Sequence, residues 1–273
     1  MKKITLILLL ITSSIFAQEV KIMTYNIKYH GVHEIENRWV DRKQDLIQLL
    51  NHYQASFIGL QESLQDQVKY VERYLKDYEY IGVGRDDGRT KGEYSPIFYN
   101  TKKYALLKEK TIWLSETPDK PSKGWDAAIK RVCTYGLFKN IETNKKVWVF
   151  NTHFDHIGKI ARKNSVSLLL TVIKGINFEN HPVVLMGDFN LTPNEEPIQL
   201  LSKSLNDGQL VSLKPFYGPV GTYNGFKNEE IKTRIDYIFS KNMEVLHYEH
   251  IDDRLPNNNH VSDHLPVLST LKF

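Results

Sequence analysis

Apolar residues along this chain follow two rhythms. The first is a set of short, largely apolar runs that each stop on a polar group. Ile22–Tyr25 precedes Asn26, Phe57–Leu60 precedes Gln61-Glu62, Val147–Phe150 precedes Asn151-Thr152-His153, and Val183–Met186 precedes Gly187-Asp188-Phe189-Asn190. Arg234-Ile235-Asp236-Tyr237 and Ser262-Asp263-His264-Leu265-Pro266 repeat the theme near the end. Runs of this length match strands, and since they do not alternate with polar residues the strands are expected to be covered on both faces. The pattern predicts strands at 20–27, 56–61, 78–83, 95–100, 104–115, 132–141, 145–153, 182–187, 234–240, 243–250 and 265–272.

The second rhythm is helical. Val40, Ile47 and Leu50 recur at near-helical spacing within Arg38–His52, as do Val68, Val71 and Leu75 within Gln65–Leu75. Ile160–Ile176 is a third helix, and Pro193–Leu201 opens with Pro beside Thr192, a capping residue. So few helices must shield many doubly covered strands. Two sheets packed together, each shielded outside by helices, satisfy both demands. The polar segments 84–94, 115–131, 206–233 and 252–262 then become rim loops.

With 273 residues, 41% of them hydrophobic, the chain has ample material for a core. No Pro/Gly/Ser-rich linker and no fixed-period repeat divides it, so one domain over 18–273 is expected. Residues 1–17 read separately: Lys2-Lys3, the apolar run Ile4–Ile11 and small residues ending at Ala17 describe a secretory signal peptide. The run is too short to span a bilayer, so no stable membrane anchor is expected. The mature protein is expected to be exported, periplasmic or extracellular, and monomeric. Removing Lys2 and Lys3 lowers the formal charge from +4 to +2. That leaves no broad basic surface for a long polyanion, while recognition of one or two phosphates stays open. The single cysteine, Cys133, excludes an internal disulfide and reads as a small hydrophobe on a strand.

The polar ends of the runs carry the candidate chemistry. If strand geometry persists, Asp188 and Asn190 share a face while Phe189 turns into packing. Taken alone, Gly-Asp-Phe-Asn equally describes a turn, His153 a core histidine and Glu62 a solvated acid. Asp263-His264 alone is a loop; with Asp236 it makes an Asp–His pair that fixes a tautomer and moves protons. Gathered at one end of a fold the set means more. At roughly 5 Å and an effective dielectric near 20, each pair of carboxylates repels by ~3 kcal/mol. Glu62, Asp188, Asp236 and Asp263 therefore need a cation to converge. Oxygen ligands favour Mg²⁺ or Mn²⁺ over zinc, and the ten histidines contain no His-Glu-x-x-His spacing.

The ordered set Thr24-Tyr25-Asn26, Gln61-Glu62, Thr152-His153, Gly187-Asp188-Phe189-Asn190, Arg234-Ile235-Asp236-Tyr237 and Ser262-Asp263-His264 resembles the endonuclease/exonuclease/phosphatase superfamily, the DNase I-like fold. The resemblance spans residues 20–273 and implies an α+β fold, a four-layer αββα sandwich of two packed, mainly antiparallel sheets with helices outside, and metal-dependent phosphoester hydrolysis. It implies Glu62 as principal metal ligand with Asn26 and Asp263 close to the metal. It implies Asp188 as the group that orients or deprotonates water, and Asn190, His153 and His264, the last paired with Asp236, as phosphate contacts. Arg131 resembles a phosphate-contacting arginine of some branches; Tyr94 and Asp155 are rim candidates for substrate binding. Some nuclease branches carry a carboxylate two residues after the Asn26 position. Lys28 stands there instead, which leaves a second tightly held metal unsupported.

The expected activity is in-line attack of an activated water on a phosphodiester or phosphomonoester. The alternatives are an extracellular nuclease on DNA or RNA, a phospholipid or sphingolipid phosphodiesterase, and a non-catalytic binding protein. For the nuclease, Phe216-Tyr217, Tyr223 and Phe226 offer stacking surfaces. No amphipathic basic helix supports the lipid reading, and the intact polar set opposes the binding protein.

Overall fold

The computed structural model describes residues 19–31 and 35–273, so the signal-peptide expectation for 1–17 lies outside the described residues. The first part of the chain runs β1 (Glu19–Asn26), α1 (Trp39–Tyr53), β2 (Phe57–Gln61), α2 (Gln65–Tyr74), β3 (Tyr78–Ile81) and β4 (Ile97–Asn100). Next come β5 (Tyr104–Trp113), β6 (Val132–Asn140), β7 (Lys146–His153), α3 (Lys159–Ile176), β8 (Val183–Asp188) and α4 (Glu196–Ser202). The chain ends with β9 (Asn206–Asp207), α5 (Gly208–Val211), β10 (Asp236–Lys241), β11 (Glu244–His250) and β12 (Val267–Lys272).

The strands form two six-stranded sheets, ordered β11-β12-β1-β2-β4-β3 and β5-β6-β7-β8-β10-β9. Each is antiparallel except for one central parallel pair, β1 with β2 and β7 with β8. Helix α1 crosses over the first pair and α3 over the second. Parallel neighbours need such a crossover, because a tight turn can join only antiparallel strands.

Three apolar layers hold this α+β sandwich together. Val20, Ile22, Phe57, Val149, Val184, Met186 and Ile238 fill the seam between the sheets. Met23, Tyr25, Ile58 and Leu60 face α1 and α2 through Leu46, Leu50, Val68 and Val71. Phe150, Val183, Leu185 and Phe239 face α3 and α4 through Val166, Leu169, Ile198 and Leu201. Successive strand residues thus alternate between two apolar environments, which is why the runs look uniformly hydrophobic.

The seam contains one polar tie. Gln61 Nε2 donates to Asn151 Oδ1 at 2.6 Å and to Thr24 Oγ1 at 2.9 Å. Asn151 Nδ2 donates to the carbonyls of Leu60 and Pro96, both at 2.8 Å. Gly59 makes room for this contact, since a Cβ there would lie 2.7 Å from the Asn151 side chain. Gln61 and Asn151, which end their apolar runs in sequence, therefore join the two sheets and do not line the pocket described below.

One predicted loop is partly structured. Within 206–233, β9 pairs with β10 and α5 follows it, because Asp207 accepts from Gln209 N–H (3.2 Å) and binds the buried Arg234. Two strand residues and a single turn carry no periodicity that a sequence window registers.

Candidate active site

Strand parity builds the site. On β1, Ile22 lies in the seam, so Thr24 and Asn26 share its face; on β7, Val147 and Val149 lead to Asn151 and His153. On β8, Val184 and Met186 lead to Asp188, and on β10, Ile238 leads back to Asp236. Polar residues thus replace apolar ones where the seam emerges at one end of the molecule. Ladder register makes them neighbours: Asp188 pairs with His153 on one side and with Asp236 on the other. Gly187 permits this approach, because at φ 149° a Cβ would lie 2.0 Å from the Thr152 carbonyl oxygen.

Three side chains converge on Asp188 Oδ2: Asn26 Nδ2 at 3.0 Å, His153 Nε2 at 3.4 Å and His264 Nε2 at 3.8 Å. Its Oδ1 accepts the Asn190 N–H at 2.9 Å, and Asn190 Nδ2 lies 3.1 Å from His153 Nε2. His264 Nδ1 donates to Asp236 Oδ2 at 2.8 Å, and the Thr222 hydroxyl donates to the same oxygen at 2.6 Å. The loop carrying Asp263 and His264 is fixed to β1 by Ser262 Oγ, which donates to the Asn26 carbonyl at 2.7 Å.

On the first sheet, Glu62 lies one residue beyond β2. Strand parity alone would aim it away from the seam, but φ of 60° turns it back. Lys28 and Asn190 also hold left-handed backbones, at 54° and 50°. Non-glycine residues in that region are uncommon and cluster at functional sites. Glu62 Oε1 accepts from Asn26 Nδ2 at 3.1 Å, and Oε2 accepts from Tyr29 N–H at 3.3 Å. Lys28 Nζ lies 3.6 Å from Glu62 and 3.3 Å from Asp263.

Lys28, Glu62, His153, Asp188, Asn190, Asp263 and His264 open onto a cavity of about 560 Å³ that also exposes Tyr29, Arg85, Glu93, Arg131, His156 and Tyr223, while Asn26 and Asp236 lie buried behind them. Arg131 is buried, with Nη2 3.0 Å from His156 Nδ1, and its Nε and Nη1 have no hydrogen-bond partner among the described residues. Asp155 lies off the cavity. It accepts the N–H groups of Ala128, Ile157 and Gly158 and sits 3.6 Å from Arg131, so it braces the arginine. Tyr94 also lies off the cavity and donates to the Arg89 carbonyl at 2.8 Å, supporting the 84–94 loop. That loop closes on itself: Arg85 grips Glu93 through two bonds of 2.6 and 2.7 Å, and Asp86 N–H donates to the Lys91 carbonyl. Of the four aromatic candidates only Tyr223 reaches the cavity, edge-on to His264 at 5.1 Å. Phe216 and Tyr217 line a separate cleft, and Phe226 lies over Arg42.

Charge follows burial and pairing. Burial, reinforced by Asp236, pushes the Asp188 carboxyl up to about 7, against the pull of His264 and Asn26. Burial opposes a charge on His264, yet Asp236 and Asp188 hold its imidazolium up to about 10. His153 shows the reverse: burial and the nearby Arg131 and Arg85 keep it neutral. Burial also disfavours ionised Glu62, but Lys28, His264, Asn26 and the Tyr29 N–H outweigh it and lower its pKa. One site therefore contains a carboxyl poised near neutrality, a cationic histidine and a neutral one.

The donor set suits a hard divalent cation. The tightest acid–histidine group among the described residues is Asp188, Asp236 and His264. However, the Asp236–His264 hydrogen bond occupies Nδ1 and Oδ2, which leaves that trio fewer free ligand atoms for an ion. Glu62 and Asp263, both on the cavity wall and both drawn to the Lys28 ammonium, are the carboxylates placed to face a cation. Asn26 presents its amide N–H₂ to Glu62 and Asp188 while its Oδ1 accepts the Lys28 N–H at 3.1 Å. Arg85, Glu93, His156, Tyr29 and Thr222 escape a reading of strand tips, since all come from loops, where for all but Tyr29 the one signal is charge or polarity.

A family model described as Endonuclease/Exonuclease/phosphatase family matches residues 23–264. The chain is 35% identical to a mannosyl-6-phosphatase of Bacteroides thetaiotaomicron, with a TM-score of 0.89, covering 93% of this chain and all (100%) of that one. It is 34% identical to an endonuclease/exonuclease/phosphatase of Bacteroides vulgatus, with a TM-score of 0.88 and coverage of 94% and 99%. An uncharacterized protein of Acanthamoeba polyphaga mimivirus is 28% identical over 263 residues, 89% of this chain and 94% of that protein.

Proposed function

The chain belongs to the Endonuclease/Exonuclease/phosphatase family, and we propose that within it the protein is an exported, divalent-metal-dependent phosphoesterase that prefers a small phosphomonoester of the sugar-phosphate kind. The observation that carries this is the convergence of Asn26, His153 and His264 on Asp188 Oδ2 at the floor of a bounded cavity. Its volume of about 560 Å³ has room for a ligand of phosphorylated-monosaccharide size. The likeness to a mannosyl-6-phosphatase supports the sugar-phosphate class, and the basic-then-apolar N-terminus supports export. Among the described residues no helix is long and apolar enough to cross a membrane.

In this reading Glu62 and Asp263 hold Mg²⁺ or Mn²⁺, with Asn26 orienting Glu62. When bound, the ion supplies Lewis-acid polarisation of a phosphoryl oxygen and offsets the developing negative charge. Asp188 Oδ2 orients the attacking water and takes its proton as the new P–O bond forms and the ester oxygen departs. The Asn190 amide and neutral His153 donate to non-bridging oxygens, and His264 presents Nε2–H while Asp236 fixes its ring. Arg131, whose Nη1 has no hydrogen-bond partner among the described residues and whose Nε faces Asp155, adds a guanidinium contact for the anionic ester.

Tyr223, exposed at the cavity, favours a second reading in which it stacks a nucleobase and the protein is a nuclease. One panel separates the two: hexose 6-phosphates, p-nitrophenyl phosphate, bis-p-nitrophenyl phosphate, phospholipid, plasmid DNA and RNA, each with chelator and with added Mg²⁺ or Mn²⁺. Metal-dependent release of phosphate from the monoesters, weakly sensitive to salt, is expected. Cleavage of DNA or RNA that falls steeply with salt would establish the nuclease instead. Turnover undiminished in excess chelator would overturn the metal assignment.

A further inference from the structure

Lys28 places a cation where the carboxylates of the site meet, and its backbone is fixed there. Its φ of 54° is left-handed, and its carbonyl accepts Gln67 Nε2 at 3.0 Å and Arg42 Nη2 at 2.8 Å. Its N–H donates to Asn26 Oδ1. From that anchor the side chain, mostly buried, sets Nζ between Glu62 Oε2 and Asp263 Oδ2. The local charges can be matched pair by pair. Asp236 is matched by His264, Glu93 by Arg85 and Asp155 by Arg131. Glu62, Asp188 and Asp263 remain, with Lys28 as their cation among the described residues lining the cavity. With Asp188 ionised, three carboxylates less one ammonium leave the charge that a single divalent ion neutralises.

We propose that Lys28 is a built-in cation of the site: it competes with a divalent ion for Glu62 and Asp263 and, offering no ligand atom itself, leaves the cavity holding one. The inference rests on the phosphoesterase reading only in taking a divalent ion as the ligand. It assigns to Lys28 the control of metal number and affinity, a positioning role exercised through the two carboxylates.

The test is a calorimetric titration of Mn²⁺ into the purified protein and the variants Lys28→Arg, Lys28→Met and Lys28→Asp, with bound Mn²⁺ counted by electron paramagnetic resonance. The original protein and Lys28→Arg are expected to bind one ion per chain. Lys28→Met is expected to bind one ion about 10- to 100-fold more tightly, because a like charge beside the ligands is gone. Lys28→Asp is expected to bind two. In chelator Lys28→Met should melt below the original protein, and Mn²⁺ should raise its Tm by the larger amount. That comparison decides the matter even if Lys28→Asp fails to fold. Two ions in the original protein, or identical number and affinity with and without the ammonium, would overturn the role of Lys28 and leave the phosphoesterase reading standing. No uptake of Mn²⁺ by any of the four proteins would overturn both.

Discussion

The crossovers β1-α1-β2 and β7-α3-β8 share one plan, a parallel strand pair under an outer helix, yet they deliver chemistry to the seam by different means. In β7-α3-β8 the functional groups lie within the strands: His153 and Asp188 are register partners on the seam face. In β1-α1-β2 the corresponding partners are Asn26 and Gln61, and Gln61 is spent on tying the sheets together. The carboxylate comes from the next residue, Glu62, brought round by a left-handed backbone. The electrostatics divide in the same way. The second crossover holds a carboxyl raised toward neutrality beside a neutral imidazole, which suits proton transfer. The first holds an ionised carboxylate beside an ammonium, which suits a cation. His153 and Asp188 are thus placed by regular strand geometry, whereas Glu62, Lys28 and Asn190 reach the cavity through left-handed backbone just beyond strand ends.

The largest expected effect tests the proton-handling half. Asp188→Asn should lower kcat by roughly 10²- to 10⁴-fold. It should also stabilise the protein in chelator. The native carboxyl is held up to about 7, so between the unfolded value near ~4 and that point the folded state binds more protons, and stability falls as pH rises. Asparagine cannot ionise, so the gain should be absent below about pH 4 and complete above about pH 7. Thermal melts of both proteins at pH 4 and pH 8 check this. Equal Tm differences at the two pH values would remove the buried-carboxylate argument.

A smaller loss, about 10²-fold in kcat, is expected for Asp236→Asn, since the Asp236 bond orients the His264 ring. The variant also sharpens the electrostatic contrast. Burial works against the His264 charge and Asp236 is the leading group that sustains it, so without that carboxylate the imidazole loses its proton at lower pH. The alkaline limb of the pH–rate profile should therefore move down from near 10. A limb that stays in place would detach it from His264.

The smallest effect on turnover is expected at the tie between the crossovers. Asn151→Ala leaves Gln61 and the carbonyls of Leu60 and Pro96 short of partners in a dry seam, costing ~1–3 kcal/mol of stability. At temperatures where the variant remains folded, KM and kcat should stay within about twofold. A large loss of kcat with unchanged stability would add Asn151 to the catalytic candidates.

The same contrast explains what was legible in the sequence. Unbroken apolar runs revealed doubly covered strands, and hence the sandwich, because both faces of each central strand meet apolar layers. Asp188, His153 and Asp236 were readable because they continue strand parity. Gln61 and Asn151 looked the same in sequence as functional tips, since nothing local distinguishes a buried amide joining two sheets from one facing a cavity. Glu62 was readable only as a neighbour of a run, because its orientation depends on a left-handed step. Arg85, Glu93 and His156 lie in segments without periodicity, and their approach to the cavity depends on long-range folding. Tyr94 and Asp155, expected at the rim, proved to be supports for other residues.

The self-closed 84–94 segment has a consequence for how such a molecule can diversify. Its ends are clamped by the Arg85–Glu93 pair, and its tip is knit by bonds within the segment. Length and side-chain identity between those ends can change while the clamp shields the seam from the alteration. The segment is a self-contained piece of the rim in which the clamp residues Arg85 and Glu93, and not the tip between them, face the cavity.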